Sequence, residues 1–184
     1  MVEGVPVNHP LRRLFGGLVE HVFYTDVGMC DPHTTEYLVD LLMEFVHVDQ
    51  IFALHDAAGR RLEDVAEMVT EADLGPKVSG VERERRVHRH IGDFTLFWTG
   101  VYPEGLRYLR HPMKKDYLVD YLQQGKRSYA IAGQMYGEQE HPPGPVLRRL
   151  SENFEFCVYG LGQVRRSWER RDPAWFERSR RLWK

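Results

Sequence analysis

The sequence predicts an all-α protein, a single-domain helical bundle of about six to eight helices. Apolar residues recur at i, i+3, i+4 and i+7 along most of the chain, which is the period of a helix with one buried face. Prolines and capping residues stand at the starts of these segments. No segment shows the strict alternation of a half-buried strand. With 42% hydrophobic residues in 184, the chain has enough apolar surface for one core.

The first predicted helix begins at Pro10, with Asn8 as its cap, and the second begins at Pro32 after the capping residue Asp31. We expect the second helix to continue as far as Phe52, because its apolar positions keep the helical spacing throughout. These stripes comprise Leu11, Leu14, Phe15, Leu18 and Val22 in the first helix, and Leu38, Leu41, Leu42, Phe45, Val48 and Phe52 in the second.

Two helices are predicted in the middle of the chain. The first has a short stripe of Leu62, Val65 and Val69. The second opens at Ser79, which stands three residues before Glu82 with the spacing of a capping box. Its first turns are heavily charged and its second half, 94–98, is almost wholly apolar, so we expect it to begin in solvent and end in the core.

The rest of the chain, after residue 102, contains four more predicted segments. A short helix covers 103–109, a longer one covers 114–136, and a third runs from Pro145 to Val164. The last begins at Asp172, a capping residue followed by proline. We divide the chain into a bundle domain, residues 1–164, and a basic, aromatic helix or tail, residues 165–184.

The composition bears on the partners and the cellular location of the protein. The formal net charge of −2 argues against a protein that coats nucleic acid, so nucleic acid is not an expected partner. The two cysteines, Cys30 and Cys157, form no CxxC pair, which fits reduced thiols and a cytoplasmic location. Neither a signal peptide nor a membrane-spanning run of apolar residues is evident.

One candidate metal site is the pair Glu44 and His47, an ExxH unit whose members share a helix face. Di-iron bundles use this unit, but they need two copies and further carboxylates. Only one copy is evident, although Asp40 lies one turn before Glu44. The alternative interpretation is an ordinary polar edge of an amphipathic helix.

The second candidate is the pair His90 and Asp93, spaced i, i+3 where the fourth helix becomes apolar. The pair could ligate a metal with help from another helix. The alternative interpretations are an ordinary surface salt bridge within a solvated run and a buried pair with perturbed pKa values. His88 cannot share a metal with His90 on a regular helix, and pairs more sensibly with Glu84. The cofactor that such sites would hold is undefined, with iron or haem as the candidates.

Tyrosines at helical spacing mark the helix predicted over 114–136, and they indicate either core packing or the wall of a pocket for a planar ligand. These tyrosines are Tyr117, Tyr121, Tyr129 and Tyr136.

The tail is the strongest asymmetry of charge in the sequence, with eight basic and three acidic residues among 165–184. Basic and aromatic side chains interleaved in this way bind acidic partners or anionic membranes, or they dock a terminal helix on an acidic body. The candidate partner-binding residues are Arg165, Arg166, Trp168, Trp175, Phe176 and Trp183.

Two functional hypotheses follow from these patterns. The first is a non-catalytic interaction or accessory module, which binds a protein partner or self-associates and has an anionic membrane surface as an alternative target of its tail. The second is a helical enzyme that binds a metal or cofactor, of di-iron or haem type.

Overall fold

The computed structural model describes residues 9–56, 58–74, 80–108 and 117–183, and these form nine α-helices with no β-strand among them. The all-α prediction is therefore confirmed. In these ranges no helix is both long and apolar enough to cross a bilayer. The helices are α1 (Pro10–Val22), α2 (Pro32–Phe45), α3 (Val48–Ile51), α4 (Val65–Leu74), α5 (Val81–Gly100), α6 (Tyr117–Met135), α7 (Gly144–Glu152), α8 (Phe154–Arg171) and α9 (Pro173–Leu182).

Two predicted capping residues are confirmed. The Asp31 carboxylate accepts a hydrogen bond from the backbone N–H of Thr34 at 3.1 Å, and so caps α2. Asp172 accepts from the backbone N–H of Trp175 at 3.0 Å and caps α9. Each bond satisfies one of the N–H groups that a helix start leaves without an intrahelical partner.

The caps of α1 and α5 differ from the prediction. His9 caps α1, because its Nδ1 accepts from the backbone N–H of Leu11 at 3.3 Å. Gly80, with a φ of +83°, precedes the first residue of α5. The predicted caps Asn8 and Ser79 lie outside the described residues.

The expected continuous helix from Pro32 to Phe52 is wrong. Helix α2 ends at Phe45, the backbone of His47 is extended with a ψ of 113°, and α3 is a separate short turn. The apolar spacing does not reveal this break, because Phe45 before it and Ile51 after it are both buried in the same core.

A second predicted helix, from Pro145 to Val164, is also divided. At Asn153 the backbone leaves the helical region with φ −114° and ψ 27°, and this residue separates α7 from α8. The Asn153 amide donates to the Arg149 carbonyl at 3.0 Å. The same carbonyl also accepts from the Asn153 backbone N–H at 3.0 Å. Asparagine readily forms such local bonds to the backbone, which favours it at the ends of helices. The predicted boundary between 164 and 165 lies within α8.

Helix α5 lies at the centre of the fold and contacts α2, α4, α6 and α8. Its first residues, Val81 and Glu82, are exposed, and every residue from Ile91 to Gly100 is buried. The expectation that this helix begins in solvent and ends in the core is confirmed. It therefore carries charged side chains at the surface and polar side chains such as Asp93 into the interior.

The carboxy-terminal helices close one end of the core with aromatic rings. The ring of Trp168 lies against those of Phe15, Phe176 and Trp183, with centroids 4.9, 5.3 and 6.1 Å away. The Trp183 indole donates to the Phe45 carbonyl at 3.0 Å. Helix α9 is thus docked on the bundle.

Candidate functional site

A polar pocket of about 480 Å³ lies between the amino-terminal half of α5 and the segment that follows α2. Its volume is within the range of small-molecule sites. One wall is formed by charged and polar residues of α5, and the other by Glu44 and the chain around α3. The lining residues are Arg83, Arg86, Val87, Arg89, His90 and Asp93 on α5, with Glu44, Gln50, Ala53, Leu54 and His55 opposite.

Asp93 is the most deeply buried charged group of this pocket, with 4% of its surface exposed. Its Oδ1 accepts hydrogen bonds from the hydroxyls of Tyr37, at 2.6 Å, and Tyr129, at 2.7 Å. Its Oδ2 lies 3.5 Å from Nε of Arg89, one turn earlier on α5. Two hydroxyl donors and one cation compensate the charge, so the carboxylate is stable inside the core and fixed in orientation.

Gly92 makes the position of Tyr129 possible. A Cβ atom at residue 92 would lie 2.5 Å from the tyrosine ring, far inside van der Waals contact. The absence of a side chain therefore lets the Tyr129 ring lie directly on α5, where its hydroxyl reaches the neighbouring Asp93. Glycine has a packing role here, since its backbone is ordinary helix.

Both tyrosines remain protonated donors at neutral pH. Burial raises the pKa of Tyr37 and of Tyr129 well above its usual value, and the charge of Asp93 raises it further. Ionising either phenol would place a second negative charge beside the carboxylate in a region without solvent.

Arg89 links this buried network to the pocket. Its Nε donates to the Tyr37 hydroxyl at 3.2 Å, and its Nη2 lies 3.9 Å from the carboxylate of Glu44. Burial alone would lower the pKa of Arg89, but Tyr37 and Asp93 together raise it, so the guanidinium stays charged. Burial, and then the charge of Asp93, raises the pKa of Glu44. Half of the Glu44 side chain is exposed, and solvent weakens this effect.

His90 is held in one tautomer. Its Nε2 lies 3.1 Å from the carbonyl oxygen of Ile51, and a carbonyl only accepts, so this nitrogen carries the hydrogen. Burial lowers the pKa of His90, which keeps the ring neutral at pH 7. Its Nδ1 is therefore an acceptor, and the residue contributes a hydrogen-bonding group without charge to the pocket.

Two further arginines, Arg83 and Arg86, line the same pocket. Arg83 forms an ion pair with Glu71 and donates to the His55 carbonyl at 2.9 Å, so its charge is compensated. Arg86 is exposed and forms no ion pair among the described residues. Arg86 is thus the arginine of this wall whose charge no carboxylate of the described residues neutralises.

Three of the four predicted metal ligands, Glu44, His90 and Asp93, line this one pocket. The fourth, His47, is exposed at the start of α3 and is not part of the lining. Among the described residues no three His, Cys, Asp or Glu side chains are grouped to hold a metal ion.

The contacts of these residues do not favour iron or haem. Both oxygens of Asp93 face donors, and the hydrogen of His90 is directed at a backbone carbonyl. The guanidinium of Arg89 lies where a metal bound to Asp93 would repel it. The metal site and the cofactor therefore remain predictions. Within the described ranges, the residues do not form a complete set of metal ligands.

His88 lies outside this pocket and is buried, with 5% of its surface exposed. Its Nδ1 has no hydrogen-bond partner among the described residues, and burial lowers the pKa of its ring. His88 and His90 thus occupy separate environments, as expected from their spacing of two on a helix.

The predicted partner-binding aromatics lie in or against the core. Trp168, Phe176 and Trp183 are buried, and Trp175 is half-buried with its ring 6.1 Å from that of Trp168. Their rings attach α9 to the bundle, so these four side chains are engaged in packing within the chain. Of the two predicted arginines, Arg165 pairs with Glu104 at 2.5 Å, and Arg166 is exposed.

Sequence reasoning missed the residues that surround Asp93. Arg89 carried a local signal, because it precedes Asp93 by one helical turn. Tyr129 was identified as core or pocket wall in the tyrosine stripe, and Tyr37 had no signal. Nothing local connects either residue with Asp93, since they reach it from two other helices. Arg83 and Arg86 belong to a run of charged residues that does not by itself indicate a pocket.

Comparison with protein-family models, with curated protein sequences and with solved structures finds no significant match for this chain.

Proposed function

We propose that this protein is a binding protein for a small carboxylate- or phosphate-bearing molecule, held in the pocket between α5 and the end of α2. The observation that supports this proposal is the convergence of Arg83, Arg86 and Arg89 on one pocket of about 480 Å³. Arginine donates paired hydrogen bonds in a planar geometry that matches carboxylate and phosphate groups.

One arginine of the lining is free to contact a negative group. Arg83 is committed to Glu71 and Arg89 to Asp93, whereas Arg86 has no carboxylate partner among the described residues. An anion in the pocket would therefore contact Arg86 without breaking an existing ion pair.

The inner part of the pocket supplies rigid polar contacts for the rest of the ligand. Asp93 is held by two tyrosine hydroxyls, and Arg89 is held by Asp93 and Tyr37. Groups that are already ordered lose little entropy when a ligand binds, which increases affinity for a matching molecule. The same fixed contacts give Asp93 a positioning role in this proposal.

The test is a titration followed by two-dimensional NMR with three probes that share one ring. Benzoate presents a carboxylate, phenyl phosphate presents a phosphate, and benzyl alcohol is the uncharged control. We expect the charged probes, but not benzyl alcohol, to shift backbone signals of residues 83–93 and around His55. The stronger of the two charged probes identifies the ligand's anionic group.

Arg86→Gln provides the matching variant, because the exposed side chain can be replaced without disturbing the core. We expect its affinity for the charged probe to fall by about tenfold, equivalent to about 1.4 kcal/mol. Arg178→Gln, which removes an exposed arginine from α9, is expected to bind as the wild type does. Equal binding of all three probes, no binding of any, or unchanged affinity in Arg86→Gln would refute the proposal.

A further inference from the structure

The outer face of α8 carries a stripe of five residues that no contact within the described chain explains. The stripe consists of Phe156, Tyr159, Gln163, Arg166 and Arg170, spaced three, four, three and four apart, which places them along one side of a helix. The opposite face, with Leu161 and Trp168, is buried in the core. The stripe therefore faces away from the bundle.

Its aromatic end is unusually exposed. Phe156 has 60% and Tyr159 has 53% of its surface accessible, more than any other described aromatic residue. They lie on one face one turn apart, which distinguishes them from apolar residues scattered singly over a surface.

At its basic end, the stripe carries positive charges that no described carboxylate neutralises. Arg166 donates to Gln163 at 3.5 Å and Arg170 donates to Ser167 at 3.2 Å, and neither pairs with a carboxylate among the described residues. The nearby Glu169 is engaged by Arg165 at 3.6 Å.

We infer that the α8 stripe is a self-association surface, and that its occupant is the α8 stripe of a second copy of this chain running antiparallel across a two-fold axis at Gln163. Phe156 lies seven residues before Gln163 and Arg170 lies seven after it, or about 10 Å on either side at the rise of an α-helix. Tyr159 and Arg166 flank it at four and three residues.

The antiparallel arrangement makes the stripe complementary to itself. It sets Phe156 opposite Arg170 of the second copy and Tyr159 opposite Arg166 of the second copy. Each pair is a cation over an aromatic face, a favourable contact that strengthens as water is excluded. A parallel arrangement would instead oppose each arginine with its own copy, which is repulsive. A two-fold interface of this kind is the commonest form of homodimer.

The length of the stripe indicates how stable the dimer should be. From Phe156 to Arg170 the stripe extends over about 20 Å of one helix, so it covers less than the roughly 800 Å² per partner of a standard stable interface. The dimer is therefore reversible and depends on concentration. This inference uses none of the pocket residues and is independent of the proposed ligand.

Two substitutions at one position test the pairing by sedimentation equilibrium from low to several hundred micromolar protein. Phe156→Lys places a cation opposite Arg170 of the second copy, and we expect the dissociation constant to rise by about tenfold or more. Phe156→Glu places a carboxylate there, and we expect the dimer to persist. Leu182→Lys, on an exposed site of α9, is the control and is expected to match the wild type.

Cysteine cross-linking tests the orientation, in a Cys30→Ser background so that the exposed native thiol does not interfere. With oxidised glutathione, Gln163→Cys is expected to form a disulfide-linked dimer because the two sites meet at the axis. Phe156→Cys is expected to form almost none, since its two sites lie about 20 Å apart and a disulfide needs Cα atoms within about 7 Å.

The wild type remaining monomeric throughout, equal loss of association in Phe156→Lys and Phe156→Glu, or ready cross-linking of Phe156→Cys would each overturn the inference.

Discussion

Tyr37 and Tyr129 share a single acceptor, the Oδ1 atom of Asp93, which they reach at 2.6 and 2.7 Å from two different helices. Helices α2, α5 and α6 are therefore joined at one buried atom. A displacement of any of the three would leave a buried, charged oxygen short of donors, and this makes the network a specific constraint on how the helices pack.

Removal of either hydroxyl tests this constraint. We expect Tyr129→Phe to lower the free energy of unfolding by about 1–3 kcal/mol, because the buried carboxylate loses one of its two hydroxyl donors. Urea denaturation at pH 7 measures the change. Tyr24→Phe alters a tyrosine that is 38% exposed and is expected to stay within about 0.5 kcal/mol of the wild type. A similar small change for Tyr129→Phe would show that its hydroxyl does not stabilise Asp93.

Alanine substitution at two helical glycines distinguishes the effect of close packing from the effect of helix propensity. Gly92→Ala would place a methyl group 2.5 Å from the Tyr129 ring, and we expect it to destabilise the protein by about 1–3 kcal/mol. An added Cβ at Gly16 meets nothing within 4 Å, so Gly16→Ala in α1 is expected to stabilise by about 0.5–1 kcal/mol. Thermal and urea unfolding of the two variants measure both signs, and the same sign for both would contradict the packing role of Gly92.

Acidification should destabilise the fold through buried histidine. Burial lowers the pKa of His90 below its ordinary value of 6.5, so the unfolded chain takes up a proton at a higher pH than the folded chain. Its contribution to stability is therefore complete above pH 6.5 and is lost as pH falls below that value, by up to about 1.4 kcal/mol per pH unit. The pKa of His88 is lowered by burial too and adds in the same direction.

Urea unfolding between pH 7.5 and about 5.5 checks this dependence. We expect His90→Gln to flatten the decline, whereas His33→Gln, at an exposed site, should leave the slope as it is in the wild type. If the free energy of unfolding of His90→Gln falls with pH as steeply as that of the wild type, other groups cause the pH dependence.

The docking of α9 gives a further measurable difference. Trp183→Ala removes a buried ring and the hydrogen bond to Phe45, and we expect a loss of about 3–5 kcal/mol. The adjacent Leu182 is 54% exposed, so Leu182→Ala should change stability by less than about 0.5 kcal/mol. Near-equal stability of the two variants in urea would mean that the terminal helix contributes little to the core.

Local sequence determined the features that depend on neighbouring residues. The starts of α2 and α9 were predictable because Asp31 and Asp172 stand before prolines, and the gradient along α5 was predictable from its run of charges followed by apolar residues. The break at Asn153 also carried a local cause, the tendency of asparagine to bond its own backbone, but the unbroken apolar spacing concealed it.

The surroundings of Asp93 were not predictable in the same way. His90 and Asp93 were identified from their spacing on one helix, whereas Tyr37 and Tyr129 come from helices whose crossing with α5 depends on the whole fold. The end of α2 at Phe45 is similar, since no glycine or proline marks it. Contacts between distant segments decide these features, and a single sequence does not encode them in a short pattern.

The positions of the four tryptophans decide what fluorescence can report. The four tryptophans belong to one chain of ring contacts. The ring of Tyr102 lies between those of Trp98 and Trp183, and the ring of Trp168 lies between those of Trp183 and Trp175. All the indole emission of the chain therefore arises at the end closed by α8 and α9, and no tryptophan lines the pocket. Emission would follow release of the terminal helix directly, whereas a bound anion would alter it only by moving α5, through the contact of Phe94 with both His90 and Trp98.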